Sequence, residues 1–92
     1  MTGIESIEGS GFTISPVPND GRFLLSITSV KSEILDMVII NNLGQTVFEM
    51  DGLAVSGTVE RHIDLRPVSP GVYTVILKNR DYKMVKKIIV CK

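Results

Sequence analysis

The feature that most constrains this chain is the period of its apolar residues, which recur at every second position in short runs from Phe12 onward. In one run, for example, Phe23, Leu25 and Ile27 occupy alternate positions and would share one face of an extended strand. Clusters of Gly, Pro, Asn, Asp and Ser separate the runs, and helical spacing is hard to find anywhere. The pattern predicts β-strands joined by turns.

Seven such runs predict an all-β fold, an immunoglobulin-like antiparallel β-sandwich, with a small barrel as the alternative. The runs cover residues 12–15, 22–28, 35–41, 45–50, 59–65, 72–78 and 82–91. The segment Asn42-Leu43-Gly44 predicts a hairpin turn, and Asp51-Gly52 and Ser56-Gly57 are expected to bracket a loop. Residues 1–11, with three Gly, two Ser and two Glu, predict a flexible linker that precedes a domain at 12–92.

Several predicted strands carry apolar residues on both faces, as the run of Val38 and Ile40 opposite Met37 and Ile39 shows. In the same way, Val72 and Ile76 lie opposite Val75 and Leu77. Val85 and Ile89 lie opposite Ile88 and Val90. A small two-layer sandwich covers only one face of each sheet, so some of these side chains are expected to be exposed or covered by a partner. A homodimer is one such arrangement. The alternative is that they are ordinary scattered surface residues.

The composition disfavours an enzyme, a cofactor, a metal site or a small-molecule substrate. A chain of 92 residues forms a small core of marginal stability, which disfavours a deep catalytic pocket. The single Cys91 cannot form an internal disulfide, and His62 is expected on a solvent face between Glu60 and Asp64 rather than in a metal site.

Neither nucleic acid nor a membrane is an expected partner. Ten basic residues balance ten acidic ones, and the basic cluster near the C-terminal end has only two tyrosines nearby, so nucleic acid is not expected. No apolar run is long enough to cross a membrane, and the first residues lack the pattern of a secretory signal.

Five blocks of residues, taken in order, resemble the type A C-terminal sorting domain of the type IX secretion system over about residues 14–92. The blocks are Pro16-Val17-Pro18-Asn19-Asp20-Gly21-Arg22-Phe23, Asn41-Asn42-Leu43-Gly44-Gln45-Thr46-Val47, Ile63-Asp64-Leu65, Ser69-Pro70-Gly71-Val72-Tyr73-Thr74-Val75 and Lys86-Lys87-Ile88-Ile89-Val90. The family pattern reads Pro-Asn-Pro where this chain has Val17, which removes a side chain able to cap its own turn. Tyr73 is expected to reach the backbone with its hydroxyl, like a tyrosine corner.

The resemblance implies a non-catalytic signal that passes through the periplasm and is recognised by the outer-membrane translocon. Many members are then cut upstream by a sortase-like peptidase that attaches the cargo to the cell surface. By this resemblance the recognition residues are Gly44, Gln45, Pro70, Gly71, Val72, Tyr73, Lys86, Lys87, Ile88, Ile89, Val90 and Lys92, and the turn motif is Pro16, Pro18, Asn19 and Gly21. The cleavage region would comprise Ile7, Glu8, Gly9, Ser10, Gly11, Phe12 and Thr13.

The last predicted strand offers a mechanism of recognition. An edge strand can pair its free backbone groups with a partner strand, and the lysines of this one would suit an acidic receptor groove. Two alternatives remain open at this point. One is a retained periplasmic regulatory ligand that binds a sensor or partner protein, and the other is an immunoglobulin-like adhesion or carbohydrate-binding module.

Overall fold

The computed structural model describes residues 11–91, which form five β-strands and no helix. The strands are β1 (Gly11–Ser15), β2 (Arg22–Ile40), β3 (Thr46–Asp64), β4 (Gly71–Lys78) and β5 (Lys83–Val90). They form one antiparallel sheet in the order β1, β2, β4 and β5, with β3 also paired to β2. The all-β prediction is confirmed, and the turn at 42–44 closes the β2–β3 hairpin as expected.

The prediction of seven strands is wrong, because two pairs of predicted strands are each one continuous strand. The runs 22–28 and 35–41 belong to β2, and the runs 45–50 and 59–65 belong to β3, so each strand has 19 residues. The loop expected between Asp51 and Gly57 therefore lies inside β3. Gly52 and Gly57 have positive φ angles of 72° and 74° and lie beside register shifts of the β2–β3 pair. The glycine signals marked β-bulges rather than loops.

The bulges allow the sheet to curl around its own core. β1 pairs with Leu24 to Thr28 in the first half of β2, whereas β4 pairs with Asp36 to Ile40 in its second half. Because a bulge bends its strand and increases the local twist, the two halves of β2 can turn their buried faces toward each other. A single bent sheet thus encloses the core that two packed sheets were expected to enclose.

The core contains the apolar residues that the alternation placed on one face. The buried apolar residues are Phe12, Phe23, Leu25, Ile27, Leu35, Met37, Ile39, Leu53, Val55, Ile63, Leu65, Tyr73, Val75, Leu77, Met84, Ile88 and Val90. All five strands contribute to this set. Burying one such side chain stabilises the fold by about 1.5–3 kcal/mol, so apolar packing is the main source of stability.

A polar cluster lies where β2 bends, and we call it the Glu33 clamp: Glu33, Ser29, Asn79 and Tyr82. The Glu33 carboxylate accepts hydrogen bonds from the Tyr82 hydroxyl at 2.6 Å, from Asn79 Nδ2 at 3.1 Å and from Ser29 Oγ. Burial, together with the bond to this carboxylate, raises the pKa of Tyr82. Since Asn79 and Tyr82 flank the β4–β5 turn, the clamp ties that turn to the bend of β2.

Strand β1 begins one residue before the predicted start of the domain. Gly11, assigned to the linker from sequence, is the first residue of β1 and pairs with Thr28. The rest of the predicted linker, residues 1–10, lies outside the described residues, as does Lys92.

Candidate recognition site

Parts of four of the five sequence blocks meet at one end of the domain, which we call the motif end. It comprises the turn Pro16 to Gly21, the hairpin turn Asn41 to Gln45, the segment Ser69 to Tyr73 and the last residues of β5, Ile88 to Cys91. Val90 joins them, because it pairs with Gly71 on one side and forms a parallel bridge with Asn19 on the other. Asn41 and Asn42 line a groove together with Pro70. The structure therefore brings together most of the recognition residues named from sequence.

Asn19 organises the turn Pro16 to Gly21 and is itself only 6% exposed. Its side chain donates from Nδ2 to the Pro16 carbonyl at 3.0 Å and accepts from the Gly21 amide at 2.9 Å. The Val17 substitution suggested that the turn lacked a capping side chain, and Asn19 supplies one. Gly21 has a φ of 108°, which favours glycine at that position.

The same turn is bound to the last strand through its backbone. The Asn19 amide donates to the Ile89 carbonyl at 3.1 Å, and the Cys91 amide donates to the Asn19 carbonyl at 2.7 Å. Cys91 itself is exposed. A residue in the first turn of the domain thus holds the last described residues of the chain, a contact that sequence reasoning did not predict.

Tyr73 and the hairpin turn contribute rigid parts of the motif end. Tyr73 is buried, and its hydroxyl donates to the Ser69 carbonyl, so the expected tyrosine corner is confirmed. In the hairpin, Asn41 Oδ1 accepts from the amides of Leu43 and Gln45, each at 2.9 Å. Asn41 Nδ2 also donates to the Gln45 side chain at 2.9 Å. Sequence reasoning missed Asn41 as a turn-forming residue, although asparagine at the start of a turn was the signal.

Strand β5 divides its predicted recognition residues between the core and the surface. Ile88 and Val90 are each 1% exposed, so their side chains belong to the core. Lys86, Lys87 and Ile89 are exposed. Lys86 Nζ lies 5.7 Å from the centre of the Phe12 ring, a cation–π distance that places this lysine beside β1.

The lysines of β5 are not neutralised within residues 11–91. The ion pairs in that range join Asp20 to Arg22 at 3.0 Å and Asp64 to Arg66 at 2.8 Å, and neither involves a lysine. The Arg66 guanidinium lowers the pKa of Asp64 to about 2, and Arg22 lowers the pKa of Asp20. The positive charge of the exposed lysines on β5 is therefore accessible at the surface of the domain.

One edge of β5 is open along most of its length. Within the described chain, β5 pairs with β4 on one side, and on the other side it has only the bridge between Asn19 and Val90. The backbone groups of Ile89 and Cys91 that contact Asn19 show which residues face this edge. By the alternation of an antiparallel strand, the amide and carbonyl of Val85 and Lys87 face it too. We call Lys83 to Lys87 the free edge.

The face of the sheet that points away from the core carries several apolar side chains beside polar ones such as Thr74 and Lys87, as the sequence led us to expect for some of these residues. This outer apolar face consists of Val38, Ile40, Val72, Ile76, Val85 and Ile89. Val72 and Ile89 pair across the strands and are 43% and 48% exposed. The other four are half-buried.

The predicted cleavage region begins outside the described residues and ends inside β1. Ile7 to Ser10 lie outside, whereas Gly11 to Thr13 pair with Ser26 to Thr28. The solvent-face prediction for His62 is confirmed, since it is exposed together with Glu60 and Asp64. Residues 11–91 contain no group of three His, Cys, Asp or Glu side chains arranged to hold a metal, and no helix long and apolar enough to cross a membrane.

Comparison with known protein families gives a match over most of the chain. The family described as "Secretion system C-terminal sorting domain" matches residues 13–91, nearly the whole chain. No curated protein matches the chain.

Proposed function

We propose, given that this chain belongs to the family of type IX secretion C-terminal sorting domains, that the translocon recognises it through the free edge of β5 and the motif end. The domain is a C-terminal sorting signal for type IX secretion. This role implies an interaction with the secretion machinery and export to the cell surface or beyond. In this proposal the secretion machinery binds the folded domain as a sorting signal, and the domain carries out no catalysis.

The open, basic edge of β5 is the observation that supports this mechanism best. Val85 and Lys87 offer unpaired backbone donors and acceptors, so an extended segment of a receptor can add to the sheet as a further strand. Lys83, Lys86 and Lys87 are exposed and have no ion-pair partner among residues 11–91. An acidic receptor strand would gain both backbone hydrogen bonds and favourable charge contacts there.

We also propose cleavage by a sortase-like peptidase after export, followed by attachment of the cargo at the surface. The pairing of Gly11 to Thr13 with β2 argues against a scissile bond within that part of the predicted region, because peptidases bind extended backbone that is not already paired. The periplasm is then the compartment in which the domain folds and is first bound.

The test uses residues 1–92 fused behind a signal peptide and a reporter protein in a cell that has type IX secretion. We expect the reporter outside the outer membrane, and its size reports whether the domain has been removed. The variant K83E/K87E reverses charge at the free edge without touching the core, and it should leave the reporter in the periplasm. Lys31→Glu, an exposed lysine on β2, is the matched control and should be exported normally.

Two outcomes would contradict the proposal. Retention of the unmodified fusion in the periplasm would exclude the sorting role for this chain. Normal export of K83E/K87E would exclude the basic free edge as the recognised surface, whatever the behaviour of the control.

A further inference from the structure

We infer that Asn19 is a positioning residue that fixes the end of β5 for the receptor, an inference that rests on the proposed function. Asn19 lies far from β5 in sequence and contacts it through its own backbone alone. Its part in recognition is therefore indirect: the side chain shapes the turn, and the turn holds the strand.

The side chain of Asn19 is suited to this task because it needs both a donor and an acceptor. Nδ2 satisfies the Pro16 carbonyl, while Oδ1 satisfies the Gly21 amide. Pro16 and Pro18 have no amide hydrogen, so neither can donate a backbone hydrogen bond that closes the turn. Alanine at position 19 would remove both bonds, and aspartate would keep only the acceptor.

With the turn closed, the backbone of Asn19 faces β5 in a parallel bridge. Its amide and carbonyl are then directed at the Ile89 carbonyl and the Cys91 amide. These two bonds occupy the last part of the edge and leave Lys83 to Lys87 free. The turn thereby defines where the free edge ends and keeps Ile89 to Cys91 in line with the rest of the strand.

The turn is also anchored on its other side, which makes it a firm support. The Leu65 amide donates to the Gly21 carbonyl at 2.8 Å. A methyl group at Gly21 would lie 3.2 Å from Arg66 Cγ, so the turn packs closely on the segment after β3. An Asn19 variant should therefore loosen the contact with β5 more than it disturbs the remainder of the fold.

The test compares hydrogen exchange and export in the same variants. In the full chain, Asn19→Ala should speed exchange of the Cys91 amide at least about tenfold, while the Val75 amide in the core of β4 changes less than about threefold. Asn19→Asp keeps the acceptor for the Gly21 amide but sets an oxygen against the Pro16 carbonyl, so it should also speed exchange of the Cys91 amide. In the reporter fusion, Asn19→Ala should lower export at least about fivefold. Asp51→Asn, an exposed carboxylate on β3 outside the motif end and the free edge, is the control and is expected to leave exchange and export unchanged.

The possible results separate this inference from the proposed function. Unchanged Cys91 exchange in both Asn19 variants would overturn the positioning role. Faster Cys91 exchange with wild-type export would show that the receptor does not require a fixed end of β5, and it would also overturn the inference. Failure of the unmodified fusion to be exported would overturn the sorting role itself, with the exchange data still deciding whether Asn19 holds the strand.

Discussion

Removing the Tyr82 hydroxyl should weaken the Glu33 clamp and, with it, the attachment of the β4–β5 turn to the bend of β2. Tyr82→Phe deletes one donor to the Glu33 carboxylate and leaves the ring in place. The bond is 2.6 Å long and has a charged acceptor. Hydrogen bonds to charged groups contribute about 1.5–3 kcal/mol, and the half-buried position argues for the lower end of that range.

The expected loss is therefore about 1.5 kcal/mol of the free energy of unfolding. For a domain of this size that corresponds to a melting temperature lower by about 6–12 °C. Glu33→Gln should cost more, about 2–3 kcal/mol, because the amide replaces one acceptor oxygen with a donor that faces donors. The two changes together should cost less than their sum, with a coupling of about 1 kcal/mol, since they remove the same bond.

The assay is urea unfolding at neutral pH, monitored by circular dichroism, of the wild type, the two single variants and the double variant. Glu49→Gln, an exposed carboxylate on β3, is the matched control and should change the unfolding free energy by less than about 0.5 kcal/mol. A Tyr82→Phe protein as stable as wild type, or a cycle in which the two losses simply add, would refute the clamp as a source of stability.

Two further predictions concern pH and association. Because Arg66 holds the pKa of Asp64 at about 2, below its unfolded value of about 3.9, this pair stabilises the fold above about pH 4 and the effect is lost as the pH falls toward 2. Asp64→Asn should flatten that part of the pH–stability curve, and an unchanged acid limb in urea titrations would contradict this. The exposed Val72 and Ile89 should let two copies pair through the outer apolar face at millimolar concentration, and Ile89→Lys should prevent it. Light scattering that shows a strict monomer of the wild type at that concentration would argue against a homodimer.

Local sequence patterns predict much of the fold. Alternation placed Phe23, Leu25 and Ile27 on one buried face of β2, and the segments 42–44 and 69–71 contain the Asn, Pro and Gly that are typical of turns. The tyrosine corner at Tyr73 was predictable for the same reason, because its partner Ser69 is only four residues away. Local features of this kind depend on φ/ψ preference and on the period of the strand, and both can be read without knowing the fold.

The errors arose where one signal has two structural meanings. A glycine with positive φ serves a loop or a β-bulge equally well, so Gly52 and Gly57 could not distinguish a seven-strand sandwich from one sheet with two long strands. The choice depends on whether β2 and β3 keep pairing through the bend. That pairing joins Glu33 to Val55 and Ile34 to Ala54, contacts between residues about 20 apart.

What the sequence determined by itself is therefore the class of the fold, the buried face of some strands, several turns and the family, because each depends on nearby residues or on their order. Tertiary structure alone decided that Glu33 meets Tyr82 across 49 positions and that Asn19 holds the end of β5. It also decided that Ile88 and Val90 face the core while the edge of β5 from Lys83 to Lys87 stays open. Such contacts depend on how a bent sheet brings distant backbone together, and no local preference encodes that arrangement.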